Sequence, residues 1–234
     1  MWSSLKSDLK SITQGRILIN AILAMLIIIL FLKFIFPLIS GFIFSKNGTE
    51  IYNYYPIIAI TLISVIPVII GILIAYTYNK QDDLIIQVSP SEKIIFIIIK
   101  MMFPTISGYL MILITAFVTD PVPSQGWLRT IFISALLSGQ TTLIFLLIVI
   151  LAVKKTDRVA ISILPLVFIA SVPFGLLVHH PWIYLAFFSP LYWISWAWVI
   201  PGAGESIIYG GISLLLTIGG SLVIYRYLLV KERH

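Results

Sequence analysis

A serine beside a glycine, Ser138–Gly139, and two adjacent histidines, His179 and His180, are the side chains here whose types could do covalent chemistry. A nucleophilic serine needs a base within hydrogen-bond reach, and inside a membrane both must lie at one depth. Ser138 falls near the middle of one apolar run, whereas the histidines fall at the edge of another, so the two do not converge and no catalytic residue is expected. Neighbouring histidines rarely meet on one metal ion without further ligands, and no HExxH or intramembrane carboxylate cluster supplies them, so no metal site is expected. The GxxxxGK[ST] phosphate loop is also missing, which excludes nucleotide hydrolysis by that route. Cys is absent altogether, and with it disulfides and thiolate chemistry.

What is left is recognition rather than reaction. Ser134, Ser138 and Thr141 share one helical face, and Gln140 stands beside them in the same apolar run. An intramembrane amide must meet another helix or a wet cavity. This group is therefore expected either to pack helices or to line a pathway, with helix packing favoured for Gln140. An outer aromatic motif, Pro190, Tyr192 and Trp193, is followed by the acid Glu205.

The longest charged interruption is Tyr78 to Lys100, YNKQDDLIIQVSPSEKIIFIIIK. Ser89 and Glu92 make an S-x-x-E capping box with Pro90 at the first helical position, which predicts a helix starting at Pro90. Ser91 and Lys93 fall in its first turn. Asp82 and Asp83 suit the first turn of a short preceding helix carrying Leu84 to Val88.

The elements that must position these residues are membrane spans. The chain is 60% hydrophobic and 10% charged, against roughly 25% charged for a soluble domain, so it is an integral membrane protein of the all-α class. A single transmembrane domain, 1–234, is expected, with six spans at about 17–36, 57–78, 94–118, 128–153, 159–178 and 207–230. Residues 1–16 read as an interfacial helix rather than a cleavable signal, with Trp2, Leu5, Leu9 and Ile12 on one face. Lys33 lies inside the first span; a central lysine costs about 2.5–3.5 kcal/mol, which the apolar residues around it outweigh. Its place near the far end would let it snorkel to the headgroups. Pro37 to Pro56 is expected to be an outer loop, and Pro67 a kink. Residues 179–205 carry no Lys or Arg and read as an outer re-entrant or interfacial hairpin held by an aromatic belt.

Orientation follows from the basic residues. Twelve of the Lys and Arg fall on the flanks that include both termini, 79–93, Lys100 and the 154–158 turn, whereas Lys46 and Arg129 fall on the other face. That bias places both termini and the charged segment in the cytoplasm. The net charge of +6 is thus a topology signal and does not imply a nucleic-acid partner.

An interfacial helix, six spans and a Ser-Pro-Ser corner between spans two and three together resemble the membrane subunits of type 2 ABC exporters. In that family an acidic and basic cluster precedes the turn and a lysine follows about ten residues on. Lys80, Asp82 and Asp83 match the cluster, Ser89-Pro90-Ser91 the turn and Lys100 the later base. Pro190 to Trp193 resembles the Pro-aromatic-Trp element of drug-export members, including those named for fluoroquinolone export. The family's glutamate in the cluster has no counterpart here. The resemblance implies that 79–93 is a coupling segment docking on a separate ATPase subunit, and that ATP and Mg reside on that partner while this chain binds no cofactor. It further implies pairing with a second copy or a paralogue in the bacterial cytoplasmic membrane, each half forming part of the path for a drug-like or amphipathic substrate. A bacteriocin or peptide immunity permease and a membrane module without an ATPase are the alternatives.

Overall fold

Long runs of isoleucine, leucine and phenylalanine leave backbone amides with no water to bond, and the helix satisfies them within one segment. The computed structural model describes residues 16–47, 51–79, 90–122, 126–153, 158–177 and 182–231, and among these every regular element is helical. In chain order they are α1 (Arg16–Leu30), a π-turn (Phe31–Ile35), α2 (Phe36–Asn47), a 3-10 turn (Ile51–Tyr54), α3 (Tyr55–Ile63) and α4 (Val65–Asn79). Then follow α5 (Pro90–Thr119), α6 (Trp127–Val153), α7 (Arg158–Leu177), a second 3-10 turn (Trp182–Phe188), α8 (Pro190–Val199) and α9 (Ala203–Lys231).

Among the described residues, four stretches are long and apolar enough to cross a membrane: Ile19–Ser45, Tyr52–Leu73, Trp127–Ile148 and Ala203–Ile224. Shorter apolar segments, Thr105–Thr119 and Leu166–Leu177, lie within α5 and α7. The expected interfacial helix at 1–16 lies outside the described residues apart from Arg16, which opens α1.

The first span departs from expectation. It does not end at Phe36, and Pro37 to Asn47 is not an outer loop but the helix α2. Proline usually breaks a helix because it lacks an N–H and its ring strikes the carbonyl four residues back, here that of Lys33. Lys33 sits in the π-turn, where the Phe36 amide donates to the carbonyl of Phe31, five residues back. The wider turn takes up the proline without ending the rod. Lys33 is therefore near the middle of the apolar stretch Ile19–Ser45, not at its far end.

Near Pro67, where a kink is expected, the helix is interrupted one turn earlier, at Ser64. Between α3 and α4 the amide and hydroxyl of Ser64 both donate to the carbonyl of Ile60, at 2.9 and 2.8 Å. That back-bonding bends a helix, and the break lies where Pro67 can make no bond.

The core sits between α3–α4, α5 and α6, where Ile60, Ile63, Ile66, Ile112, Ile133, Leu137, Ile144 and Ile148 are buried. Glycine sets how closely α4 and α6 approach: a Cβ on Gly71 would lie 3.0 Å from Ile144 Cγ2 and 3.1 Å from the Thr141 carbonyl oxygen. The hydroxyl of Tyr55, at the start of α3, donates to the carbonyl of Thr119, the last residue of α5. The chain then turns through Asp120, whose φ of 44° is the left-handed geometry that caps helices and that aspartate tolerates. Its amide donates to the Ala116 carbonyl at 2.9 Å. By contrast α1, α2 and α9 line the outside of the bundle, with Leu26, Ile27, Leu38, Leu215 and Val223 exposed.

Candidate functional site

The charged corner enters the structure at Pro90, the first residue of α5, where the capping-box reading put a helix start. Ser91, Glu92 and Lys93 occupy that helix's first turn and Lys100 its third, but their side chains are outside the described residues. Lys80, Asp82, Asp83 and Ser89, with the short helix expected before the corner, also lie outside them.

The polar residues of α6 are brought together in the bundle interior. Ser134, Ser138, Gln140 and Thr141 are all buried. The Gln140 Nε2 donates to Thr217 Oγ1 on α9 at 2.7 Å and makes a longer contact with its own helix at the Leu136 carbonyl, 3.4 Å. Thr217 in turn donates to the Ser213 carbonyl at 2.8 Å. A Cβ on Gly210 would lie 2.7 Å from the Phe132 ring, and one on Gly220 3.2 Å from Leu143. Gln140 thus joins two helices at a seam that glycine keeps tight, which is the packing role. The hydroxyls of Ser134, Thr141 and Ser213 and the Oε1 of Gln140 have no hydrogen-bond partner among the described residues.

Pro190, Tyr192 and Trp193 lie in a short helical return between α7 and α9, and its geometry follows from three contacts. Pro190 opens α8 and Ser189 precedes it; the Ser189 hydroxyl meets that of Ser171 on α7 at 2.7 Å. Ser171 lies six residues inside the end of α7, so α8 begins about 9 Å below that end. Ten residues, about 15 Å, then carry α8 back up. There its last carbonyls meet Arg129, two residues into α6. The Arg129 Nε and Nη2 donate to Ala197 at 3.2 and 2.6 Å, Nη2 also to Trp198 at 3.2 Å and to Ile200, and Nη1 reaches Pro201 at 3.4 Å. A guanidinium fork at a helix C-terminus satisfies carbonyls that have no intrahelical partner and complements the negative end of the helix dipole. The Ser206 hydroxyl adds a bond to Ala197 at 2.7 Å.

The aromatics of this segment are not simply a belt at the membrane edge. Tyr192 is 4% and Trp198 1% exposed, so both are core residues of the bundle. The Tyr192 ring fills the space left by Gly175 of α7, where a Cβ would lie 2.1 Å from Tyr192 Cδ2. Trp193 donates its indole N–H to the Phe187 carbonyl at 2.8 Å and stacks on Tyr209 of α9, with centroids 5.8 Å apart. Glu205 is exposed in the first turn of α9. Arg129 and Gly175 were not singled out from sequence. The signal for Arg129 was its isolation on a face poor in positive charge.

A direct test follows from the glycines. Gly175→Ala forces the Tyr192 ring to move and should cost about 1–3 kcal/mol, as overpacked cores do. Gly211→Ala, where a Cβ meets nothing within 4 Å, should instead gain about 0.5–1 kcal/mol from helix propensity. Thermal unfolding of the two purified variants in detergent reads the opposite signs; equal midpoints would contradict the packing of α8 on α7.

Among the described residues no three His, Cys, Asp or Glu side chains gather as a metal cluster. The family model of Rv2686c-like proteins, described as fluoroquinolones export permease protein Rv2686c-like, matches residues 8–226. No curated protein and no solved structure matches the chain.

Proposed function

This chain belongs to the Rv2686c-like family of fluoroquinolones export permeases, and from that membership we propose that it is the membrane subunit of an ATP-driven exporter, forming half of a pathway for drug-like substrates. The family match carries the reading. The sequence supports the rest: a membrane protein without a phosphate loop needs its ATP hydrolysed elsewhere, and the cytoplasmic corner at 79–93 is the segment with the charge and the cap to dock on an ATPase.

In this reading α5 and α7 complete six spans, with both termini cytoplasmic, as the basic-residue bias supports. A second copy or a paralogue packs against the exposed outer helices to close the path. ATP-driven closure of the two ATPases pulls on the coupling segments, and α5, rooted at Pro90, passes that movement to the core at Ile112 and Thr119. This chain breaks no covalent bond; its residues bind, orient and move.

Affinity-purified full-length chain is expected to bring down a soluble ATPase carrying a phosphate loop. Cells making both should accumulate several-fold less of a fluorescent fluoroquinolone than cells making the chain alone or with an ATPase lacking its phosphate-loop lysine. Equal accumulation in all three would overturn the proposal.

A further inference from the structure

A shallow groove of about 410 Å³ opens between α2 and the start of α3, lined by Pro37, Ser40, Gly41, Phe44, Tyr52 and Asn53. Its volume is in the range that holds a drug-sized molecule. The four α2 residues share one stripe of the helix, and one turn inward, roughly 6 Å along the axis, the stripe reaches Lys33. Lys33 is exposed and has no ion-pair or hydrogen-bond partner among the described residues.

Three features set this stripe apart from an ordinary lipid-facing surface. The apolar stretch Ile19–Ser45 continues on both sides of Lys33, with Ile27 and Leu30 exposed before it and Leu38 and Phe42 after it. A four-carbon stem cannot carry the ammonium past them to either headgroup layer, and a cation at such a depth requires water or an anion. The ring of Tyr52 is exposed although it stacks on Tyr55, with centroids 5.5 Å apart and planes at 4°, so the groove is walled by aromatic surface. Gly41 leaves the groove floor open, since a Cβ there would meet nothing within 4 Å.

We propose that this groove, with Lys33 at its inner end, binds planar aromatic acids, the ring system lying against Phe44 and Tyr52 and the carboxylate pairing with the Lys33 ammonium. Aromatic faces favour offset stacking of a flat ring, and the ion pair gains strength where water is scarce. A fluoroquinolone is a planar aromatic acid, so the choice of substrate class rests on the export reading; the groove itself is tested by binding alone.

The experiment is equilibrium binding of a fluorescent fluoroquinolone and of its carboxyl methyl ester to the full chain in nanodiscs. The wild type is expected to bind the acid at least tenfold more tightly than the ester. Lys33→Met should erase that preference and Lys33→Arg should keep it. Gly41→Leu, whose Cβ would meet nothing within 4 Å, should weaken both ligands at least tenfold while the protein stays monodisperse. Binding of neither ligand by the wild type, a preference surviving in Lys33→Met, or unchanged binding in Gly41→Leu would overturn the site. None of those results would touch the export reading, which the accumulation measurement with the ATPase decides separately.

Discussion

Reversing Asp82 and Asp83 to lysine is expected to abolish co-purification with the ATPase and substrate-stimulated ATP turnover while leaving insertion and detergent behaviour of the permease unchanged. In sequence the two acids precede the Ser89-Pro90 corner, and in the proposed reading they belong to the surface that meets the ATPase. A docking surface of this kind is tuned by charge, and like-charge juxtaposition across an interface costs several kcal/mol. The reversal changes net charge by four units in one patch, so the loss should be nearly complete rather than graded. A pull-down with ATPase rates in nanodiscs, wild type against the double variant, measures it. Undiminished binding and turnover would reduce 79–93 to a solvated loop.

The second large effect is structural. Arg129→Met keeps the length and apolar stem of the side chain but removes the guanidinium donors to Ala197, Trp198, Ile200 and Pro201, leaving Ala197 only the Ser206 hydroxyl. Hydrogen bonds from a charged donor are worth about 1.5–3 kcal/mol each, and buried carbonyls left without donors cost a similar amount. The C-terminal end of α8 should therefore loosen, with a loss of about 3 kcal/mol or more of stability. Arg129→Lys should recover only part of it, because one ammonium cannot reproduce the fork. Thermal unfolding, with hydrogen exchange at 195–201, gives the answer; exchange at wild-type rates in Arg129→Met would mean that α8 is held by Tyr192 and Trp198 alone.

Much of the architecture was legible because hydropathy and caps speak locally. α5 begins at Pro90, where the capping box put a helix start and four residues before the span read from the sequence, while α6 at Trp127 and α7 at Arg158 begin within a residue of their spans. The π-turn was not legible: a proline after twenty apolar residues reads as a boundary, and nothing local announces a wider turn that absorbs it. Gln140 could be assigned to a helix seam from its chemistry, but its partner Thr217 is 77 residues away and only the tertiary structure names it. The same holds for Gly175 and Tyr192, where a small residue and a large one are complementary across two elements. Arg129 enters the sequence reading only through the charge count, because its four acceptors are backbone atoms, which sequence cannot mark.

The π-turn at Phe31–Ile35 also bears on how sequences related to this one should be compared. A π-turn is an α-helix carrying one inserted residue, and removing that residue restores a regular helix. The segment beyond it would then rotate by about 100° and retreat by about 1.5 Å. Phe36 and Ser40 would leave the buried face, and Gly41 would turn away from Tyr52. A single-residue gap at this point in an alignment is therefore not a neutral length change. It marks a relative whose outer half-helix presents a different side to the bundle, and residue-by-residue equivalence beyond Phe36 should not be assumed across it.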